Sequence, residues 1–147
     1  MKSICCFLLI CVVYGSSYAQ KTEIERMMKH YDTLILKQDY PALVKLFTPH
    51  GKLATQGQSS IYGRDSIYQM FSSFKGVSVM QQKSATKAIE FINGAALQTG
   101  TYFQEAIIPS GDTLRLTGKY RATWVRQQDK TWLLQKMSTY DYARAAK

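Results

Sequence analysis

From Val77 to the C-terminus no helical period survives, and three turn signals divide what remains into four strands. Asn93-Gly94 is the strongest short hairpin signal in the chain. Pro109-Ser110-Gly111-Asp112 is a second turn, and Asp129-Lys130 is the third. The last hairpin, Lys119 to Tyr142, is rich in β-branched and aromatic residues and is broken only by the polar corner Gln128-Asp129-Lys130-Thr131. A meander of this length has one apolar face to bury, so the residues before it must supply the covering layer.

Those residues read as helices. Thr22 and Glu25 form a capping box that opens a first helix. Ile24, Met27, Met28, Tyr31, Leu34 and Ile35 then recur at helical spacing and make one apolar stripe. Asp39 caps a short second helix with Pro41 in its first turn, and Thr48-Pro49-His50-Gly51 ends it as a turn. Lys52 to Gln56 is a short strand, followed by a loop through Ser60. Gly63-Arg64-Asp65 starts a third helix whose apolar residues are Ile67, Met70, Phe71 and Phe74, and Lys75-Gly76 closes it. Helices followed by a run of strands predict an α+β domain: a curved antiparallel sheet packed against three N-terminal helices, cone-shaped, with a cavity inside.

The first nineteen residues stand apart. Lys2 is a positive start, Ile4 to Tyr14 is an apolar run, and Ser17-Tyr18-Ala19 offers small residues for cleavage after Ala19. The pattern is that of a secretory signal over residues 1–19, leaving one domain over 20–147. The apolar run is shorter than the ~20 residues of a membrane span, so no stable membrane anchor is expected. Export places the domain in a periplasm or outside the cell. Cys5, Cys6 and Cys11, the only three cysteines, leave with the leader. The remaining domain then has no disulfide, no thiol nucleophile and no thiolate ligand. With only His30 and His50, neither of them spaced for ligation, no metal site and no cofactor is expected. The chain carries a net charge of +9, but its cations are scattered singly, which fits a solubilising surface better than a nucleic-acid face.

Even-numbered turns at the last two corners would put Leu114, Leu116, Gly118, Tyr120, Ala122 and Trp124 on one face of the sheet. Leu133, Gln135, Met137 and Thr139 join them from the last strand, and Phe103, Glu105 and Ile107 from the strand before. This set is the more apolar and is assigned to the interior. Glu105 is then a carboxylate on an apolar face and the candidate general acid or base. Tyr31, Tyr120, Trp124 and Gln135 are the candidate ligand-binding residues, the aromatics by stacking and by their polar tips. The same register turns Glu90 inward. It also leaves Trp132, Leu134 and Tyr140 as an apolar patch on the otherwise charged outer face, a candidate homodimer interface.

Three phrases resemble the nuclear transport factor 2-like superfamily, and within it the polyketide cyclase-like, or SnoaL-like, branch. They are Gln38-Asp39-Tyr40-Pro41-Ala42-Leu43 with Leu46-Phe47-Thr48, then Tyr62-Gly63-Arg64-Asp65-Ser66-Ile67, then Trp124 to Trp132. The resemblance spans residues 22–142 and implies a cone fold, frequent homodimers through the sheet, and one pocket between sheet and helices. It does not imply a reaction, because that scaffold hosts many. Members resembling ketosteroid isomerase place a carboxylate base on the first strand; the matching position falls at or near Thr55, and Lys52 to Gln56 holds no acid. The first reading is therefore an exported, non-catalytic domain that binds a small apolar or aromatic molecule. The alternatives are an isomerase, dehydratase or cyclase using Glu105 with a tyrosine, and a protein-interaction module.

Overall fold

A computed structural model describes the backbone of residues 5–146 and the side chains of residues 17–145. Lys2 of the expected leader lies outside the described residues, and the side chains of its apolar run lie outside them too. The elements run α1 (Cys5–Lys37), α2 (Tyr40–Lys45), β1 (Phe47–Thr55), β2 (Ile61–Tyr62), α3 (Arg64–Ser72), β3 (Ser78–Ile92), β4 (Ala95–Ile107), β5 (Thr113–Arg126) and β6 (Trp132–Ala146). Three helices cover one face of a curved six-stranded sheet of order β2-β1-β6-β5-β4-β3. The α+β cone is the architecture expected from the order of elements.

The sheet is mixed rather than antiparallel throughout. β3 to β6 form the expected meander, but β1 lies parallel to β6, with Leu53 opposite Met137 and Thr55 opposite Thr139. β1 is also longer than expected, because residues 48–51 loop out of register between Phe47 and Lys52 instead of ending a helix. Nothing local in sequence announces a pairing between segments more than eighty residues apart.

Helix starts follow their chemistry at α2, where Asp39 accepts a hydrogen bond from the Ala42 N–H at 3.1 Å. At Thr22 they do not. α1 runs unbroken through this residue, and the Thr22 hydroxyl donates to the Tyr18 carbonyl one turn back, at 3.2 Å. The stripe read from periodicity is the buried one: Ile24, Met28, Tyr31, Leu34 and Ile35 are all buried against the sheet. α3 buries Ile67 fully but leaves Phe74, beyond its end, half exposed. No helix among the described residues is long and apolar enough to cross a membrane.

Two hairpin loops decide which side chains face the helices. Asn93 and Gly94 both have positive φ and close the β3–β4 hairpin as a two-residue turn, with Ile92 opposite Ala95. The β4–β5 loop is odd-numbered. Ile108 N–H bonds to Asp112 O at 3.0 Å and Gly111 N–H to Ile108 O at 2.9 Å, leaving Pro109-Ser110-Gly111 as a three-residue loop with Gly111 at φ +89°. The β5–β6 loop repeats this design with Lys130 at φ +69°: Gln127 N–H bonds to Thr131 O at 2.7 Å and Lys130 N–H to Gln127 O at 3.0 Å.

A three-residue loop at each corner, in place of an even-numbered turn, reverses the faces of β4 and of the start of β6 relative to β5. In β4 the inward set is Ala96, Gln98, Gly100, Tyr102, Gln104 and Ala106. Glu105 and Glu90 are therefore not interior. In β6 Trp132 and Leu134 are buried in the core, so the apolar outer patch expected from Trp132, Leu134 and Tyr140 does not form. Gln135 is then the extra residue of a β-bulge, between Leu134 opposite Trp124 and Lys136 opposite Thr123. The bulge restores the inward direction of Met137 and Thr139, both as expected. β5 faces as assigned, with Tyr120, Ala122 and Trp124 buried.

Candidate functional site

A cavity of about 270 Å³ opens between α1, α3 and the inner face of the sheet. Tyr31 and Ile35 of α1 form one wall, and Met70 and Phe71 of α3 another. Leu53 and Thr55 of β1, Met137 and Thr139 of β6, and Leu116 and Tyr120 of β5 line the floor. Tyr102 and Gln104 of β4 with Gln82 and Ser84 of β3 complete it, and the exposed Phe74 and Gln58 sit at the mouth.

Space for the cavity comes from two glycines. Gly100 lies opposite Tyr120 and Gly118 opposite Tyr102 across the β4–β5 ladder. A Cβ at Gly100 would stand 2.7 Å from the Tyr120 ring, and one at Gly118 would stand 2.8 Å from the Tyr102 ring. Each ring therefore lies across the glycine of the neighbouring strand instead of standing up into the centre of the cone. Both tyrosines line the cavity.

Two polar networks support this wall. In the first, the Trp124 indole N–H donates to Gln98 Oε1 at 2.9 Å, and Gln98 Nε2 donates to Thr86 Oγ1 at 2.8 Å. Thr86 Oγ1 in turn meets the Tyr120 hydroxyl at 3.3 Å. In the second, Asp32 of α1 accepts from Gln82 Nε2 at 3.0 Å, from Ser84 N–H at 2.7 Å and from Ser84 Oγ at 2.7 Å. Gln104 Nε2 donates to Gln82 Oε1 at 3.1 Å. Asp32 and Gln98 are the buried polar residues of the domain, and no buried side-chain nitrogen or oxygen among the described residues lacks a partner.

No carboxylate, imidazole or amine lines the cavity among the described residues; its ionisable groups are Tyr31, Tyr102 and Tyr120. All three phenols are held above the ordinary tyrosine value. Burial is the larger cause for Tyr31, reinforced by the Asp32 charge. Burial again leads for Tyr102, with Tyr142 adding to it. For Tyr120 burial outweighs the opposing hydrogen bond from Thr86, and the Asp32 and Glu25 charges add to it. The cavity therefore offers neutral hydroxyls and amides at physiological pH.

A consequence appears at alkaline pH. Above the ordinary value of 10.0, unfolded tyrosines lose protons that the folded ones keep, so the folded state binds more protons and stability falls as pH rises. The contribution is complete below pH 10 and is lost from there upward through the raised folded values. Urea melts from pH 8 to 11 are expected to show this decline. Tyr31→Phe is expected to flatten it by up to about 1.4 kcal/mol per pH unit; an unchanged slope would remove Tyr31 as a source.

The structure separates the residues expected to act together. Tyr31 and Tyr120 both line the cavity. Trp124 does not; it is fully buried, its N–H already committed to Gln98. Gln135 is exposed at the bulge. Glu105 points to the outer face, where it accepts from Arg115 at 2.6 Å. Thr55, at the position expected for a first-strand base, lines the cavity and accepts from Thr139 Oγ1 at 3.3 Å. His30 and His50 are exposed, and no metal-ligand cluster occurs among the described residues. Gln82, Ser84, Tyr102, Gln104 and Asp32 were not singled out from sequence. Asp32 follows Tyr31 on the edge of the apolar stripe, an acid at a semi-buried helical position, and that was the one available signal.

Comparisons place the chain among known domains. A family model for the SnoaL-like domain matches residues 16–138. No curated protein matches in sequence. Among solved structures, a conserved protein of Planctomyces limnophilus superposes with a TM-score of 0.78 at 15% identity, covering 87% of this chain and 99% of that one. A Novosphingobium aromaticivorans protein provisionally designated scytalone dehydratase gives 0.76 at 19% identity, with coverage of 88% and 90%. A ketosteroid isomerase-like protein of Erwinia carotovora atroseptica gives 0.72 at 17% identity, with coverage of 80% and 92%. At these identities the likeness is one of fold.

Proposed function

The chain belongs to the SnoaL-like domain family, and on that premise we propose that it is an exported binding protein whose cavity holds a small, flat, largely apolar molecule without transforming it. One observation carries the reading: a cavity of about 270 Å³ walled by aromatic and aliphatic side chains and by neutral hydroxyls and amides. An apolar cavity of about 150 Å³ accommodates benzene, so this one suits a molecule of one or two rings. General acid–base chemistry needs a group that exchanges protons near neutral pH. The lining tyrosines hold their protons more tightly than usual, and Glu105, the base of the enzymatic alternative, is paired with Arg115 outside.

The export step rests on the leader pattern of residues 1–19, and the point where packing begins is compatible with cleavage there. Ser17, Tyr18 and Ala19 are exposed, and Ile24 is the first buried residue among those described. Cleavage after Ala19 would leave the core and the Trp132 N–H to Glu23 bond of 3.2 Å in place. N-terminal sequencing of protein from the native host is expected to start at Gln20. A start at Met1 would remove the export step.

Native mass spectrometry of the same material tests occupancy. The expected result is a reproducible non-covalent adduct with the mass of a one- or two-ring compound, lost in Leu116→Trp, which fills the floor. Protein that is empty as isolated and gains no thermal stability from naphthalene-sized probes would overturn the binding reading.

A further inference from the structure

We infer that Asp32 sets the hydrogen-bonding polarity of the cavity wall, so that the ligand is a one- or two-ring molecule carrying a hydroxyl or N–H donor. The inference deepens the binding reading and rests on it. Three donors converge on the Asp32 carboxylate: Gln82 Nε2, Ser84 Oγ and the Ser84 backbone N–H. A carboxylate only accepts, which removes the ambiguity of both neighbouring side chains. The single hydroxyl proton of Ser84 is committed to Asp32, so towards the cavity this oxygen can only accept. The Gln82 amide must present its nitrogen to Asp32 and its oxygen to Gln104.

The order propagates one residue further. Because Gln82 Oε1 is an acceptor, Gln104 must offer it Nε2, at 3.1 Å. Gln104 Oε1 is left with no protein partner among the described residues. It is not sealed off either, since no buried polar atom there is unpartnered. Gln82, Ser84 and Gln104 all line the cavity. The wall built by β3 and β4 thus holds two acceptors, Ser84 Oγ and Gln104 Oε1, both oriented by a charge that does not itself line the cavity; the donors left on it are the second N–H of each amide nitrogen. Asp32 is a positioning residue in this scheme. A ligand with a donor on the facing edge satisfies the wall; one that carries only acceptors leaves those lone pairs unpaired, which is costly when water is excluded.

The probes are 2-naphthol, which donates, and 2-methoxynaphthalene, which has the same rings and only accepts. Titration of the full-length protein is expected to favour 2-naphthol by about tenfold or more, the size of one well-made buried hydrogen bond. Asp32→Asn keeps the shape but replaces an acceptor oxygen with a donor. Gln82 Nε2 and Ser84 Oγ share one Asp32 oxygen and the Ser84 backbone N–H holds the other. The backbone N–H cannot turn away and keeps the remaining oxygen, so the new NH2 faces the two side-chain donors, turning the Ser84 proton toward the cavity and flipping the Gln82–Gln104 pair. The preference is expected to shrink to about threefold or less, or to reverse. A merely structural role would weaken both probes by the same factor, and that result overturns the inference, as does an unchanged preference in a folded Asp32→Asn protein. Should that variant fail to fold, Ser84→Ala with Gln104→Leu removes both acceptors directly and is expected to abolish the preference; its persistence would count equally against the inference. If the unaltered protein binds both probes alike, the polarity assignment fails and the pocket stands. If it binds neither, the binding reading itself falls and this inference falls with it.

Discussion

Gly100→Ala is expected to cost the domain at least about 3 kcal/mol, at or beyond the upper end of overpacking penalties. Its Cβ would lie 2.1 Å from the Ala85 carbonyl oxygen, a backbone atom of the paired strand, as well as 2.7 Å from the Tyr120 ring. The oxygen cannot move without parting β3 from β4, and Tyr120 is buried and cannot swing clear. With total stability for a domain of this kind on the order of 5–15 kcal/mol, the variant is expected to be largely unfolded or to melt far below the parent. Gly118→Ala provides the comparison. There the clash is with the half-buried Tyr102 ring at 2.8 Å, which can rotate toward solvent, so about 1 kcal/mol is expected. Urea denaturation decides. A Gly100→Ala variant within about 1 kcal/mol of the parent would mean that the β3–β4 spacing, and with it the floor of the cavity, is not as described.

Trp124→Ala is expected to destabilise by about 3–5 kcal/mol, because the ring is fully buried and its removal leaves a void the sheet cannot close. The indole contributes through two separable effects. Trp124→Phe keeps most of the apolar bulk but withdraws the N–H that Gln98 Oε1 accepts at 2.9 Å, leaving a buried oxygen unpaired at about 1–3 kcal/mol. Adding Gln98→Leu removes the stranded acceptor and is expected to recover part of that loss, since replacing both partners by apolar groups costs less than breaking the pair. If the double variant is no more stable than Trp124→Phe, the bond contributes little and the ring's packing accounts for the whole effect. Either variant is also expected to loosen Tyr120, whose hydroxyl is reached from Trp124 through Gln98 and Thr86.

How far the sequence carries depends on the range of the interaction concerned. Helical periodicity over Ile24 to Ile35, the Asp39 cap and the Asn93-Gly94 turn are local signals, each acting over a few residues, and the elements they announce are present where expected. The α+β order follows from them. Strand faces are a different matter, because a period of two amplifies one residue of loop length into a reversal of every side chain. At Pro109-Ser110-Gly111 the glycine in the left-handed region is a legible mark of a three-residue loop. At Lys130 no such mark exists, since lysine has no preference for φ +69°; it is held there by the closing Gln127–Thr131 bond and by Asp129, which accepts from the Thr131 N–H and hydroxyl.

Those two loops account for Glu105 and Gln135, whereas Trp124 keeps its assigned face but is fully buried and does not line the cavity. Glu105 left the interior with the rest of its face, Gln135 became the bulge that repairs the register, and Trp132 and Leu134 exchanged an imagined interface for the core. Tyr31 was placed by a helical stripe and Tyr120 by a strand whose face was read correctly, so both reached the cavity. What the amino-acid sequence determined by itself is the three helices, the first strand, the four-stranded meander, their order and the apolar stripe of α1, because these rest on neighbours within one or two turns; the two-residue β2 was not read from it. Tertiary structure alone decided the parallel seating of β1 beside β6, the direction of the β4 side chains, and the burial of Asp32 against groups fifty residues away. Each of those outcomes depends on backbone hydrogen bonds or charge partners that come together only when the sheet closes over the helix.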